Sequence, residues 1–211
     1  MAETGQDTLR LTRRSLIGGA VVSLVAGPIS SITWAADTPD DPYPLPSFDY
    51  LKMPEAFRPS VRAYKGRQHV GTVIVDTSAR QIYLVVDGGY CIRWGCAVGR
   101  DGFRWAGLAD VGRKVMWPKW TPPQDMIARN PEKAKWANGM PGGYDNPLGA
   151  RALYLFQNGQ DTLYRIHGTT EPMSIGTNAS SGCIRMINQD VKELYRRAPV
   201  GSRVVVLAEG V

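Results

Sequence analysis

The chain has 211 residues, 43% of them hydrophobic, with 23 glycines, 15 prolines, 3 cysteines and a formal net charge of +6. That is enough apolar material for one ordinary domain with a real core plus appendages, and the Gly and Pro content favours strands and loops over long helices. The basic balance suggests an anionic partner, but the charges form no run or stripe.

The first segment stands apart from the domain. Thr12-Arg13-Arg14-Ser15-Leu16-Ile17 places paired arginines before an apolar run from about Leu16 to Ile29, and Thr33-Trp34-Ala35-Ala36 supplies small residues for a signal peptidase. Basic region, short apolar region and small-residue exit are the layout of an export signal. The arginine pair resembles a twin-arginine signal, so residues 1–36 are expected to direct the chain to the periplasm or cell envelope. Gly18, Gly19, Gly27 and Pro28 break the apolar run, so no permanent membrane span is expected after signal removal. Export argues against nucleic acid as the partner and makes cell-envelope polymers the natural candidate.

Residues 37–70 hold many Pro and Asp at no period. They read as a linker, or as an arm whose Tyr43, Phe48, Tyr50 and Phe57 pack on the body. Order is expected from Gly71. Thr72–Asp76, Gln81–Asp87 and Tyr90–Gly99 are β-rich runs joined by tight turns, an antiparallel meander. Cys91 and Cys96 lie on the third run, roughly 16 Å apart and facing opposite ways. They cannot bond each other without a break in the strand and read as small buried thiols. His69 reads as a surface or strand-edge residue.

Residues 100–149 change character, with Trp105, Trp117, Trp120 and Trp136, many Pro and Gly, and few β-branched residues. Short helices are expected at Gln124–Arg129 after Thr121-Pro122-Pro123, and at Glu132–Trp136 after Asn130-Pro131. This loop and short-helix insertion reads either as a lid or as a patch covering one sheet face. Ala152–Phe156 and Thr162–His167 then flank Gln157–Asp161, whose Asn-Gly is a hairpin signal. Leu163, Arg165 and His167 fall on one face of the second strand, with Tyr164 and Ile166 on the other. Asn188 reads as the cap of a helix from Gln189 to about Ala198, and Ser202–Leu207 as the last strand.

One histidine and one cysteine bracket the stretch His167 to Met186 (HGTTEPMSIGTNASSGCIRM). A thiol is a good nucleophile only as the thiolate, and a nearby imidazole is the usual way to reach that state near neutral pH. His167 ends a strand and Cys183 follows a Ser-Ser-Gly turn whose small residues allow amide N–H groups to face a carbonyl oxygen. Cys183 is therefore the candidate nucleophile and His167 its base, with the amides of Gly182 and Cys183 as candidate oxyanion donors. Ser181, Gly168 and Thr169 support the loops, and a backbone carbonyl around Gly168 or Thr169 is expected to orient the second nitrogen of His167. Ser180 is expected to fix the turn through its hydroxyl or to contact substrate, and Arg185 to hold either a substrate carboxylate or the loop itself. With no CxxC or HxxxH spacing, no metal site is expected.

Ile166-His167-Gly168-Thr169, Ser174-Ile175-Gly176 and Ser180-Ser181-Gly182-Cys183-Ile184-Arg185-Met186 together resemble the signature of the L,D-transpeptidase catalytic domain family. The resemblance runs from about Gly71 to Val206. It departs at Gly99–Gly107, where the family carries a TPxG turn. It implies a mainly β, sandwich-like catalytic domain over 71–208 acting on peptidoglycan stem peptides without a cofactor. The implied chemistry is attack by Cys183 on a tetrapeptide donor, loss of D-alanine, and transfer to a stem amine as a 3→3 cross-link. Attachment of a wall-bound protein amine, D-amino-acid exchange and hydrolysis as an L,D-carboxypeptidase share the same acyl-enzyme. A silent wall-binding module is the alternative of another class.

Overall fold

The structure is a computed structural model describing residues 41–99, 106–178 and 182–207. The expected export signal lies outside the described residues, as does most of the Gly99–Gly107 departure. Among the described residues no helix is long and apolar enough to cross a membrane.

Among the described residues nine strands form one mixed sheet: β1 (Ser60–Ala63), β2 (Val73–Asp76), β3 (Gln81–Val86), β4 (Tyr90–Gly95), β5 (Gly107–Met116), β6 (Arg151–Gln157), β7 (Gln160–His167), β8 (Ile184–Arg185) and β9 (Arg203–Val206). Their order is β1-β4-β3-β2-β9-β5-β6-β7-β8. Among the described residues only β2 with β9 and β7 with β8 run parallel. β2, β3 and β4 are the expected meander, built on alternation: Val73 and Val75, Ile82 and Leu84, and Ile92 and Trp94 turn to the core. Every strand except β1 contributes to that core, and α2 (Asn188–Arg197) fills it with Val191 and Leu194. The sheet thus wraps one face around a helix, giving a mainly β fold.

Four expectations need correction. The stretch read as loop and short helix contains β5, a ten-residue strand between β9 and β6. Gly107, Asp110 and Gly112 depress its local propensity, and two-sided pairing overrides that. The arm includes an edge strand, β1, paired with β4. Asn188 is the first residue of α2, the cap position is Ile187, and the Asn188 side chain points elsewhere. The second short helix, Pro131–Trp136, is 3-10, while α1 (Gln124–Arg129) begins after Pro123 without a side-chain cap.

The arm is a strap. Tyr43 packs edge-on against Trp117 and Tyr144, while Phe48, Tyr50, Met53 and Phe57 cover Ala97, Ile175 and Ile187. Its Asp41 carboxylate is buried, accepting from Trp117 Nε1 at 2.5 Å and ion-paired to Arg151 at 2.5 Å and Lys192 at 3.4 Å. Cys91 and Cys96 are both buried and free, and His69 is exposed.

Candidate active site

β6 and β7 form the expected hairpin, but the turn is only Asn158-Gly159, both with positive φ (51° and 77°). The extra residues on β7 are absorbed by a bulge between Asp161 and Arg165, where Leu163 takes a φ of 63°. The bulge lifts Leu163 out of the ladder to 75% exposure. Beyond it regular pairing resumes, Arg165 against Tyr154 and His167 against Ala152.

β7 also pairs in parallel with β8, Ile166 opposite Ile184 and His167 opposite Arg185. Paired residues on parallel strands share a face, and faces alternate along each strand. Ile166 and Ile184 therefore point together into the core, as their burial confirms. His167 and Arg185 point together to the opposite face, and Cys183 lies two residues before Arg185, in the bend that leads into β8. The chain leaves the sheet after His167 on an excursion that rejoins it at Ile184, one residue after Cys183. Arg165 and Arg185 act electrostatically on both His167 and Cys183.

His167 is buried, and its Nδ1 lies 2.6 Å from the carbonyl oxygen of Gly168. A carbonyl only accepts, so Nδ1 carries the proton and Nε2 is left with its lone pair, the tautomer a general base requires. Burial pushes the imidazole down to about 4, helped by the Arg185 and Arg165 charges and opposed by the backbone at Gly168 and Leu148. The ring is neutral at pH 7. Burial raises the Cys183 thiol while Arg165 and Arg185 pull it down, leaving a net upward direction. Its Sγ rests 3.9 Å from the carbonyl of Leu163, the residue displaced by the bulge. The resting pair is a thiol and a neutral imidazole rather than a preformed ion pair.

Gly182 has φ of 139°, a conformation open to glycine and strained for any side chain. Arg185 is ion-paired to Glu171 at 2.9 Å and so holds the excursion, one of the two roles expected for it. Ser180 and Ser181 lie outside the described residues. The far end of the excursion is sewn to the end of β4 through Gly176 N to Cys96 O (3.0 Å), and Phe57 of the strap fills the space above Gly95 and Gly176. Among the described residues no cluster of three or more His, Cys, Asp or Glu is placed to hold a metal ion.

Asn188, which the sequence offers only as a helix cap, is the tie beneath the base. Its Oδ1 accepts from Ala150 N at 3.0 Å and Thr169 N at 3.2 Å, and its Nδ2 donates to Thr169 O at 2.9 Å. The backbone passes so close that a Cβ on Gly149 or Gly168 would meet Asn188 Oδ1 at 2.2 Å or 2.0 Å. The amide side chain therefore clamps the turn before β6 to the turn after β7, and Gly168, whose carbonyl orients His167, lies inside the clamp.

The fold is mainly β and carries a buried, carbonyl-oriented histidine at the end of β7, with a cysteine just before the parallel strand β8. Residues 71–206 match the YkuD family model, the L,D-transpeptidase catalytic domain, and the chain belongs to that family. It is 34% identical over 148 residues to the probable L,D-transpeptidase YbiS of Escherichia coli K12, covering 68% of this chain and 46% of that protein. It is 41% identical over 101 residues to a putative L,D-transpeptidase encoded in the ATP synthase subunits region of Fuscovulum blasticum, covering 48% and 49%. A solved structure from Brucella melitensis, described as a probable carnitine operon oxidoreductase, shares 46% identity at a TM-score of 0.51, covering 75% of this chain and 98% of that one. The chain spans about half the length of the curated relatives it matches.

Proposed function

We propose that this protein is a peptidoglycan L,D-transpeptidase working through a thioester on Cys183. The observation that best supports the reading is the β7/β8 pairing, which sets His167 opposite Arg185, two residues beyond Cys183, while the Gly168 carbonyl orients the ring through Nδ1. As a donor stem approaches, the Cys183 proton passes to Nε2 and the thiolate attacks the carbonyl of the diamino-acid residue. The tetrahedral oxyanion faces the amides of Gly182 and Cys183, each such donor being worth about 3–4 kcal/mol. The C–N bond to the terminal D-alanine breaks, and the leaving amine takes the proton back from His167. A stem amine then attacks the thioester, loses its proton to His167 and restores the thiol, closing a 3→3 cross-link. General acid–base help of this kind contributes typically about 10²–10⁴-fold. The energy of the cleaved amide is kept in the thioester, so the cycle needs no cofactor. A protein amine, a free D-amino acid or water entering the last step would give wall attachment, exchange or carboxypeptidase hydrolysis instead.

The paired arginines Arg13 and Arg14 and the apolar run after them support action in the periplasm or cell envelope after export by the twin-arginine route. Incubation of the protein with muropeptides and product analysis by mass reads donor length, acceptor and hydrolysis together. A carbapenem should add its mass to Cys183 in the wild type. Cys183→Ser should lose nearly all turnover while staying folded, and wild-type turnover by that variant would remove the mechanism.

A further inference from the structure

The face that carries Arg165 and His167 continues across β6 onto β5 as a row of aligned residues. Arg165 pairs with Tyr154, and Tyr154 with Arg113. The guanidinium carbon of Arg113 lies 3.9 Å from the centroid of the Tyr154 ring and that of Arg165 lies 4.2 Å from it. Arg113 reaches this face because of a bulge. The β5/β6 register slips between Val111 and Arg113, where Gly112 is the additional residue. Without the slip Arg113 would share the core-facing side of Val111, which is fully buried. Glycine is required there, since a Cβ on Gly112 would meet the Phe156 ring at 2.2 Å. Bulges that re-aim a side chain are characteristic of the borders of functional sites.

The charges in the row are not equally satisfied. Arg185 is paired with Glu171, and Arg165 is gripped at both ends by Asp161, at 2.7 and 2.9 Å. Arg113 is exposed, and its stacking on Tyr154 is a contact that leaves the in-plane N–H donors open. Among the described residues it has no carboxylate partner. A guanidinium held by its face, with a free edge on an active-site surface, is a preset fork for a carboxylate. Three strand spacings, about 14 Å, separate the Arg113 backbone from that of Cys183. An arginine side chain leaning inward covers about half of that. The remainder is about two residues of extended peptide, at roughly 3.4 Å per residue.

We propose that Arg113, stacked on Tyr154, is a binding subsite for a carboxylate of the donor stem, about two residues from the bond that Cys183 attacks. The subsite rests on the transpeptidase reading for its substrate class, and the two fail separately. It makes the enzyme selective for donors whose acid group is free over donors in which it is amidated.

The test uses the full chain with Cys183→Ala, so that binding is read without turnover. Its probes are a synthetic tetrapeptide stem with free carboxylates and the same peptide with its side-chain carboxylates amidated, titrated calorimetrically at low and high salt. Arg113→Gln should weaken the free-acid peptide about 10-fold, leave the amidated one unchanged, and lose most of the difference at high salt. Arg113→Lys should fall between, since an ammonium keeps the charge but not the stacked fork. With Cys183 intact, alkylation by uncharged iodoacetamide should proceed in Arg113→Gln at the wild-type rate, which separates a binding role from disturbance of the nucleophile. Equal affinity of parent and Arg113→Gln for the free-acid peptide overturns the subsite. So does an equal loss for both peptides, or no measurable binding of the free-acid peptide by the parent. Absence of muropeptide turnover and of Cys183 acylation in the wild type overturns the transpeptidase reading instead.

Discussion

Replacing Asn188 by alanine tests whether the base is held by the clamp beneath it. The substitution orphans the N–H groups of Ala150 and Thr169 and the carbonyl of Thr169, all three now satisfied by one side chain. Ala150 and Thr169 are 0% and 3% exposed, so their backbone is poorly placed to recruit solvent. A dry unsatisfied group costs about 1–3 kcal/mol, and three give about 3–9 kcal/mol. Thr170 is exposed next in the chain, so water can relieve part of this and about 3 kcal/mol is the expected loss. For a domain of this size that lowers Tm by about 6–12 °C. The chemical effect is separable from the stability effect. Gly168 lies between the clamped residues, and a shift of its carbonyl releases Nδ1–H of His167. Acylation of Cys183 by a carbapenem, followed by intact mass, should then slow by about 10²-fold well below the melting temperature. The acid limb of that rate should also move up towards the ordinary histidine range as the ring gains water. Asn188→Asp keeps the acceptor and loses the donor to Thr169, so it should fall between. An Asn188→Ala protein that melts and acylates like the wild type would refute the clamp.

Further outcomes can be checked with the same protein. Because burial holds His167 down to about 4, the acylation rate should stay level as pH falls from 7 to 5 and drop near 4; a midpoint near 6.5 would show an exposed ring. The same depression means that the unfolded chain takes up this proton first, so stability attributable to His167 is lost as pH falls from about 6.5 to about 4, a contribution of about 3 kcal/mol. Asp190 goes the other way, since burial raises its carboxyl to about 8 and it keeps its proton in the fold, bonded to Tyr50 at 2.5 Å. Its contribution is full below about pH 3.8 and fades as pH rises to about 8. Asp190→Asn keeps an acceptor for Tyr50 and should remove that decline, measured by urea unfolding at pH 5 and 8; parallel declines in both proteins would discount the carboxyl. Asp41→Ala leaves Arg151 and Lys192 buried without their carboxylate and should cost about 3–5 kcal/mol, with faster proteolysis of the strap. An unchanged melting curve would show the strap to be passive.

The family was legible in the linear chain, and the proposed nucleophile and base could be named there, because each rests on a short-range pattern: a histidine closing an alternating strand, a thiol after a glycine turn, and the spacing between them. The meander and the hairpin were legible for the same reason, since alternation and Asn-Gly are local signals. β5 was not, because its glycines and charges oppose a strand and only pairing with β9 and β6 makes it one. Nor was the role of Asn188, whose partners lie 38 and 19 positions away.

The sequence by itself determined which groups could do chemistry here, since reactivity belongs to residue type and local turn. What only the tertiary structure decided is where those groups point. The parallel return of β8 against β7 sets Arg185 beside His167, and the Gly112 slip turns Arg113 onto the face of Tyr154 and Arg165. Register and bulges are set by long-range hydrogen bonding between strands, which no single stretch of chain encodes.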